Sequence, residues 1–302
     1  MPLFIRTPQK QSAQAPYAAY LNVLSRKATA VQRALRRGGL ANYEPEFQAA
    51  LFALCEPHGN DLVFYDVGAH IGLYASLVET LFNSQCIAFE ATPETASICK
   101  VMKRANNLRF DIVEQAVSNV DGEIDFFLSP TTESSNSLNG KFRAGARSIR
   151  ISVTSLDHFS RSGASDPHVL KIDVETHEPQ VVMGALKMIE RARPAIACEL
   201  LTKIDRAALR EALQSLFALG YTAYHIVDRI APQQRTLDEL LASVSSTDSD
   251  WILSQRPLDV GFDRAYRRWL LAISDCRAQE SVLSEPGSAR PAVTTLQWPA
   301  HN

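Results

Sequence analysis

The sequence predicts an α/β fold, a mostly parallel sheet with helices on both faces. Three observations lead there. Short β-branched runs alternate with helical stretches from about residue 42 to 255, a rhythm that builds βαβ units. The first run leads directly into a turn bracketed by Gly68 and Gly72, and acidic residues stand at the ends of successive runs at Asp66, Glu90 and Asp173.

Taken in order, residues 1–40 carry Arg6, Lys10, Arg26, Lys27, Arg33, Arg36 and Arg37 without an acidic residue. Tyr20, Leu21, Leu24, Ala28, Val31 and Leu35 recur there at helical spacing, which predicts a basic amphipathic helix packed on the domain or held against an anionic surface. Strands are expected at 62–66, 86–90, 111–117, 169–174, 194–200, 221–227 and 250–255, with helices at 43–56, 71–83, 93–106, 179–191 and 205–219. The alternating segments Glu-Ile-Asp-Phe-Phe-Leu and Arg-Ile-Ser-Val-Thr, in 122–129 and 150–154, break the parallel rhythm and predict an extra antiparallel hairpin. Between them, 129–149 is rich in serine and threonine, in the manner of a lid or binding loop. The resulting division is a basic helical extension over 1–41, a main domain over 42–255, and a C-terminal helix with a flexible tail over 256–302.

Composition bounds the function. The chain has 302 residues, 46% hydrophobic and 21% charged, with a formal net charge of −2, so its overall field does not recruit nucleic acid. Cysteines at 55, 86, 99, 198 and 276 form no Cys-x-x-Cys pair and no zinc-ligand spacing, which argues against a disulfide framework or a structural metal and for a reducing cytoplasm. No apolar run approaches the roughly 18 residues of a membrane span. A cytoplasmic protein is expected, and its oligomeric state is open.

In an open α/β sheet, ligands sit beyond the carboxyl ends of the strands, where Asp66, Glu90 and Asp173 fall. A dinucleotide loop would read Gly-x-Gly-x-x-Gly, but this chain places His70 and Leu73 where the second and third glycines belong. An aspartate at the strand end suits a cationic ligand better than a pyrophosphate. S-adenosylmethionine has an ammonium, a sulfonium, a ribose diol and an adenine, and no phosphate. Glu90, 24 residues after Asp66, is placed to accept a ribose diol that NAD shares; Gln115 and Ala116 fall on the adenine side. In Lys171-Ile172-Asp173-Val174-Glu175-Thr176-His177, strand alternation would put Lys171, Asp173, Glu175 and His177 on one face. His177 is the natural general base near neutral pH, with Glu175 or Asp173 as alternatives. A divalent metal on Asp173, Glu175 and His177 is conceivable, and none is assigned.

Three segments, Asp-Val-Gly-Ala-His-Ile-Gly-Leu-Tyr at 66–74, Ala-Phe-Glu-Ala-Thr-Pro at 88–93 and Leu-Lys-Ile-Asp-Val-Glu-Thr-His-Glu at 170–178, resemble the FkbM-type family of S-adenosylmethionine-dependent methyltransferases. Gln-Ala-Val-Ser-Asn at 115–119, Ser-Leu-Asp at 155–157 and Arg-Pro-Ala-Ile-Ala-Cys-Glu at 193–199 extend the resemblance over roughly 60–255. It implies a Rossmann-like class I methyltransferase: a seven-stranded sheet in the order 3-2-1-4-5-7-6, its last strand antiparallel, catalysing O-methylation of a sugar, glycan or secondary metabolite. It also implies that Asp66, Gly68, Ala69, His70 and Gly72 hold the methionine end, Glu90 and Ala91 the ribose, Gln115 and Ala116 the adenine side, and that Asp173 and Glu175 face the methyl. Two departures stand out. The family has glycine where this chain has Thr176, and Ala91 interrupts the family's Glu-Pro-x-Pro. A methyltransferase-like binding protein without chemistry and, further off, an NAD-dependent oxidoreductase are the competing expectations.

Overall fold

The computed structural model describes residues 2–6, 18–22, 29–128, 138, 147–228, 230–244 and 249–276. At the N-terminus, β1 (Pro2–Arg6) pairs antiparallel with β2 (Ala18–Asn22), so the expected basic helix is confined to α1 (Ala30–Gly38). Thr29 and Gln32 start that helix with a reciprocal capping box, and Val31 and Leu35 are buried against the domain.

The βαβ rhythm is realised element by element. After α2 (Pro45–Cys55) come β3 (Val63–Val67), α3 (Leu73–Phe82), β4 (Gln85–Phe89), α4 (Pro93–Ala105) and β5 (Asp111–Val113). The expected strand 111–117 breaks at 114–115, because β6 (Ala116–Val117) leaves the main sheet to pair with β8 (Arg147–Thr154). β7 (Gly122–Leu128) runs antiparallel to β8, which is the extra hairpin, extended by β6 to three strands. α5 (Leu156–Ser160) leads to β9 (Val169–Ile172), α6 (Glu178–Met183), α7 (Leu186–Ala192), β10 (Ala195–Glu199), α8 (Arg206–Ala218) and β11 (Thr222–Val227). β12 (Ile230–Arg235), α9 (Leu237–Ser243), β13 (Asp250–Ser254) and α10 (Val260–Ser274) complete the described chain.

The main sheet has the order β12-β11-β13-β10-β9-β3-β4-β5. Seven of these strands reproduce the order implied by the resemblance, with β13 antiparallel to both neighbours. The eighth, β12, was not expected; it pairs with β11 and adds an antiparallel edge.

β3 is buried at all five positions because helices cover both faces. Alternation sorts the core: Phe64 packs with α2, α3 and α10, whereas Val63, Tyr65 and Val67 pack with α6, α7 and α8. The chain runs outward from β3 to β4 and β5, then returns to β9 on the other side, so the topological switch point lies between β3 and β9. The serine-rich segment 129–149 lies outside the described residues except for Leu138 and the first residues of β8, as does the tail beyond 276.

Candidate active site

The strand ends singled out by the sequence surround a cleft of about 410 Å³ at the carboxyl edge of the sheet. Gly68, His70, Glu90, Ala91, Gln115, Ala116, Asp173, Glu175 and His177 all line it. Asp66, Ala69 and Gly72 do not.

Asp66 explains why a strand-end carboxylate need not face a ligand. It is fully buried, its Oδ2 accepts from Ala75 N at 3.0 Å, and its Oδ1 is 3.4 Å from Lys171 Nζ. Burial pushes its carboxyl up, while Lys171 and the Ala75 N–H pull it back. Asp66 and Lys171 are neighbours across β3 and β9, on the face covered by α2 and α3.

The glycine turn is also turned inward. Gly68 N and Ala69 N donate to Phe89 O at 3.1 and 2.9 Å, His70 N to Glu90 Oε2 at 2.7 Å, and Gly72 N to Ala69 O at 2.7 Å. Gly68 has φ +78°, and a Cβ there would stand 1.8 Å from the Asp173 carbonyl oxygen. The close approach that demands glycine is to the β9 turn of the protein itself.

Glu90 is 7% exposed and sits at the cleft wall. Its Oε1 accepts from Thr92 N at 2.8 Å and Thr95 Oγ1 at 2.7 Å, while Oε2 takes the His70 N–H. Burial raises its carboxyl, opposed by these donors. The Thr92 side chain also bonds to this carboxylate, so its roughly four acceptor positions are engaged within the protein.

The β9 turn gathers the remaining acids. Strand alternation stops at Ile172, so Asp173 stays with Lys171 at 3.2 Å while Glu175 and His177 leave that face. The expected single face is broken by left-handed backbone at Glu175 (φ 55°) and Thr176 (φ 80°). Thr176 therefore adopts a positive φ that a glycine would take without strain, at a cost of about 1–2 kcal/mol for a side chain of this kind. Glu178 holds the turn from below: Oε1 accepts from Val174 N at 2.9 Å, and burial pushes this carboxyl up to about 8.

His177 differs from the expected near-neutral base. Burial lowers its imidazole to about 4, and Nε2 lies 2.9 Å from Ser118 Oγ. It is neutral at physiological pH and a weaker base than an exposed histidine. Among the described residues, no group of three or more His, Cys, Asp or Glu side chains is arranged to hold a metal ion.

Two carboxylates at the cleft went unselected in the sequence. Glu199, at the end of β10, is raised by burial and then by Asp173, Asp250, Glu44 and Glu175, and accepts from Ser249 Oγ at 3.0 Å. The strand-end rule that found Glu90 applies to it equally. Glu44 precedes α2 in left-handed backbone, opens onto the cleft, and accepts from Tyr74 OH at 2.6 Å. Crowding by surrounding protein and then Asp173 raise its carboxyl. Ala30, Val31 and Ala34 of α1 close the wall nearby.

The profile described as Methyltransferase FkbM domain matches residues 66–223, a little over half of the chain and the stretch that builds the cleft. The chain belongs to the FkbM methyltransferase family. A similar curated protein is the hexuronic acid methyltransferase AglP of Haloferax volcanii, 29% identical over 147 residues. That match covers 47% of this chain and 58% of AglP, so the chain spans less than two thirds of its relative. Among solved structures, the methyltransferase FkbM from Methylobacillus flagellatus aligns at 14% identity over 64% of this chain and 43% of that one, with a TM-score of 0.37. Magnesium protoporphyrin IX methyltransferase from Synechocystis, with bound SAM, aligns at 7% identity over 76% and 86%, with a TM-score of 0.40. This FkbM methyltransferase domain has, among its described residues, no helix long and apolar enough to cross a membrane.

Proposed function

We propose that this FkbM domain binds S-adenosylmethionine and methylates a hydroxyl oxygen of a sugar, glycan or secondary metabolite. One observation carries the reading: the cleft has two acidic stations on either side of β3. Glu90 stands beyond β4, and Asp173, Glu175, Glu199 and Glu44 stand beyond β9 and β10 and before α2. Strands spaced at about 4.8 Å separate the two stations by roughly 10 Å.

The donor set fits a phosphate-free nucleoside bearing positive charge. The N–H groups of Gly68, Ala69, His70 and Gly72 are all bonded within the protein, which leaves the turn little to offer a pyrophosphate. Glu90 lines the cleft, where a ribose hydroxyl would share its carboxylate with the donors of the protein, beside the apolar walls of Phe89, Ala116 and Val117. Asp173 and Glu44 offset the charge of an ammonium and a sulfonium. When bound, S-adenosylmethionine supplies a methyl already activated on sulfur.

The acceptor would lie beside Tyr43, Glu175 and His177, which line the cleft. His177, uncharged and oriented by Ser118, receives or directs the hydroxyl proton, with Glu175 and Asp173 as the neighbouring carboxylates. Positioning of the two reactants contributes several kcal/mol, on the order of what bound near-attack geometry provides. The sugar class of acceptor is supported by the name of AglP. We also propose the division into a basic N-terminal extension to residue 41, a methyltransferase domain to 255 and a C-terminal appendage. The five cysteines, all buried and none joined in a disulfide, suit a reducing cytoplasm.

Transfer from methyl-labelled S-adenosylmethionine to a panel of monosaccharides, glycans and hydroxylated metabolites tests the proposal. His177→Ala should lower turnover with little change in S-adenosylhomocysteine affinity. Saturable donor binding without labelled product on any hydroxyl would instead mark a binding module.

A further inference from the structure

We propose that Lys171 is a positioning residue of this site: its buried ammonium, shared between Asp66 and Asp173, pairs with the Asp173 carboxylate and fixes it at the cleft wall. The inference rests on the donor site proposed above.

Lys171 lies between Leu170 and Ile172 on β9, so alternation sends its side chain to the opposite face from theirs, under α3. It is 2% exposed and does not line the cleft. Its Nζ is 3.2 Å from Asp173 Oδ2, 3.4 Å from Asp66 Oδ1 and 5.1 Å from the centre of the Tyr74 ring. Tyr74 OH in turn donates to Glu44 Oε2. One cation thus anchors two cleft carboxylates, Asp173 directly and Glu44 through the tyrosine.

Stability is a poor explanation for this arrangement. A buried ion pair is often replaceable by apolar groups at no loss, and here two acids flank a single lysine within an otherwise apolar layer. Electrostatics gives a better one. Asp173 is faced by Glu44 and Tyr43 ahead of α2, by Glu175 and Glu178 on its own turn, and by Glu199 at the end of β10. Asp250 of β13 stands behind Glu199. No lysine or arginine is among the described residues that line the cleft. Crowded carboxylates shed charge by taking up protons. A cation beneath one of them offsets that crowding, and Lys171 stands beneath Asp173.

The test is a ¹³C NMR titration of the Asp173 carboxyl in the ligand-free protein, assigned with Asp173→Asn. In Lys171→Met its midpoint should move upward from the wild-type value by about one to three pH units. Asp66→Asn keeps an acceptor for Ala75 N and leaves the lysine to Asp173, so it should move the midpoint downward. Calorimetry with S-adenosylhomocysteine should find Lys171→Met weakened by roughly tenfold near pH 6 and recovering as pH rises. An Asp173 midpoint unchanged in Lys171→Met, or an affinity loss equal at every pH, overturns the proposal. If Lys171→Met does not fold, Asp66→Asn alone decides: a downward move supports it, and no move or an upward one overturns it. Failure of wild-type protein to bind S-adenosylhomocysteine would sink the donor reading, while the Asp173 titration would still judge Lys171.

Discussion

The turns after β3 and after β9 face each other across the same cleft and solve opposite problems. The first takes left-handed backbone at Gly68, His70 and Gly72, bonds its N–H groups internally and seals its carboxylate, Asp66, in the core. The second takes left-handed backbone at Glu175 and Thr176, where glycine would be easier, and presents Asp173, Glu175 and His177 to the cleft. Gly68 stands where another backbone segment crowds in, and Gly72 where the Cys99 side chain does. Side chains are retained, and strain tolerated, where the site needs chemistry. Of the seven described non-glycine residues with positive φ, Glu44, His70 and Glu175 line the cleft and Thr176 adjoins it.

The comparison breaks most readily at Gly68. Gly68→Ala would drive a methyl to 1.8 Å from the Asp173 carbonyl oxygen in a torsion that disfavours it. A loss of about 4 kcal/mol or more is expected by urea denaturation; a loss under about 1 kcal/mol would mean that the two turns do not press on each other.

Glu178 gives the next effect, through pH. Its folded value of about 8 exceeds that of an unfolded glutamate, roughly 4.3. The folded state therefore holds the extra proton between those values. The associated stability is complete below about pH 4.3 and is lost as pH rises toward 8. Glu178→Gln should flatten this dependence, so that its stability relative to wild type improves by up to about 4 kcal/mol between pH 5 and 8. Parallel slopes for the two proteins in urea melts over that range would contradict the assignment.

Glu90→Ala removes the acceptor shared by His70 N, Thr92 N and Thr95 Oγ1, along with the proposed ribose contact. S-adenosylhomocysteine affinity should fall roughly ten- to hundredfold by calorimetry. Thr176→Gly should have the smallest effect, a gain of about 1 kcal/mol from relief of the left-handed threonine. A loss in its thermal midpoint would show that the side chain, 3% exposed, contributes more packing than its torsion costs.

Much of this site was legible because strand-end position is a simple signal. Glu90, Gln115, Asp173 and His177 could be located once the βαβ rhythm was read, and the missing glycines at His70 and Leu73 argued against a dinucleotide loop. The sequence does not reveal which way a strand-end carboxylate turns. Asp66 and Glu90 look alike in one dimension, yet the first is satisfied inside the core by Lys171 and Ala75 N of α3, while the second stands at the cleft wall. Long-range placement was equally hidden. Glu44 reaches the cleft from a left-handed residue before α2, and the pairing of Pro2–Arg6 with Ala18–Asn22 joins segments more than ten residues apart, which helical spacing does not reveal. β12 was missed because Pro232 within its span argues against a strand, although an edge position tolerates it.

The central claim is that the two acidic stations hold one donor between them. A structure of the protein with S-adenosylhomocysteine bound tests this most directly. The account predicts a ribose hydroxyl on Glu90, the adenine against Phe89, Ala116 and Val117, and the amino end toward Asp173 and Glu44. A nucleoside bound in the reverse sense, or outside this cleft, would contradict it.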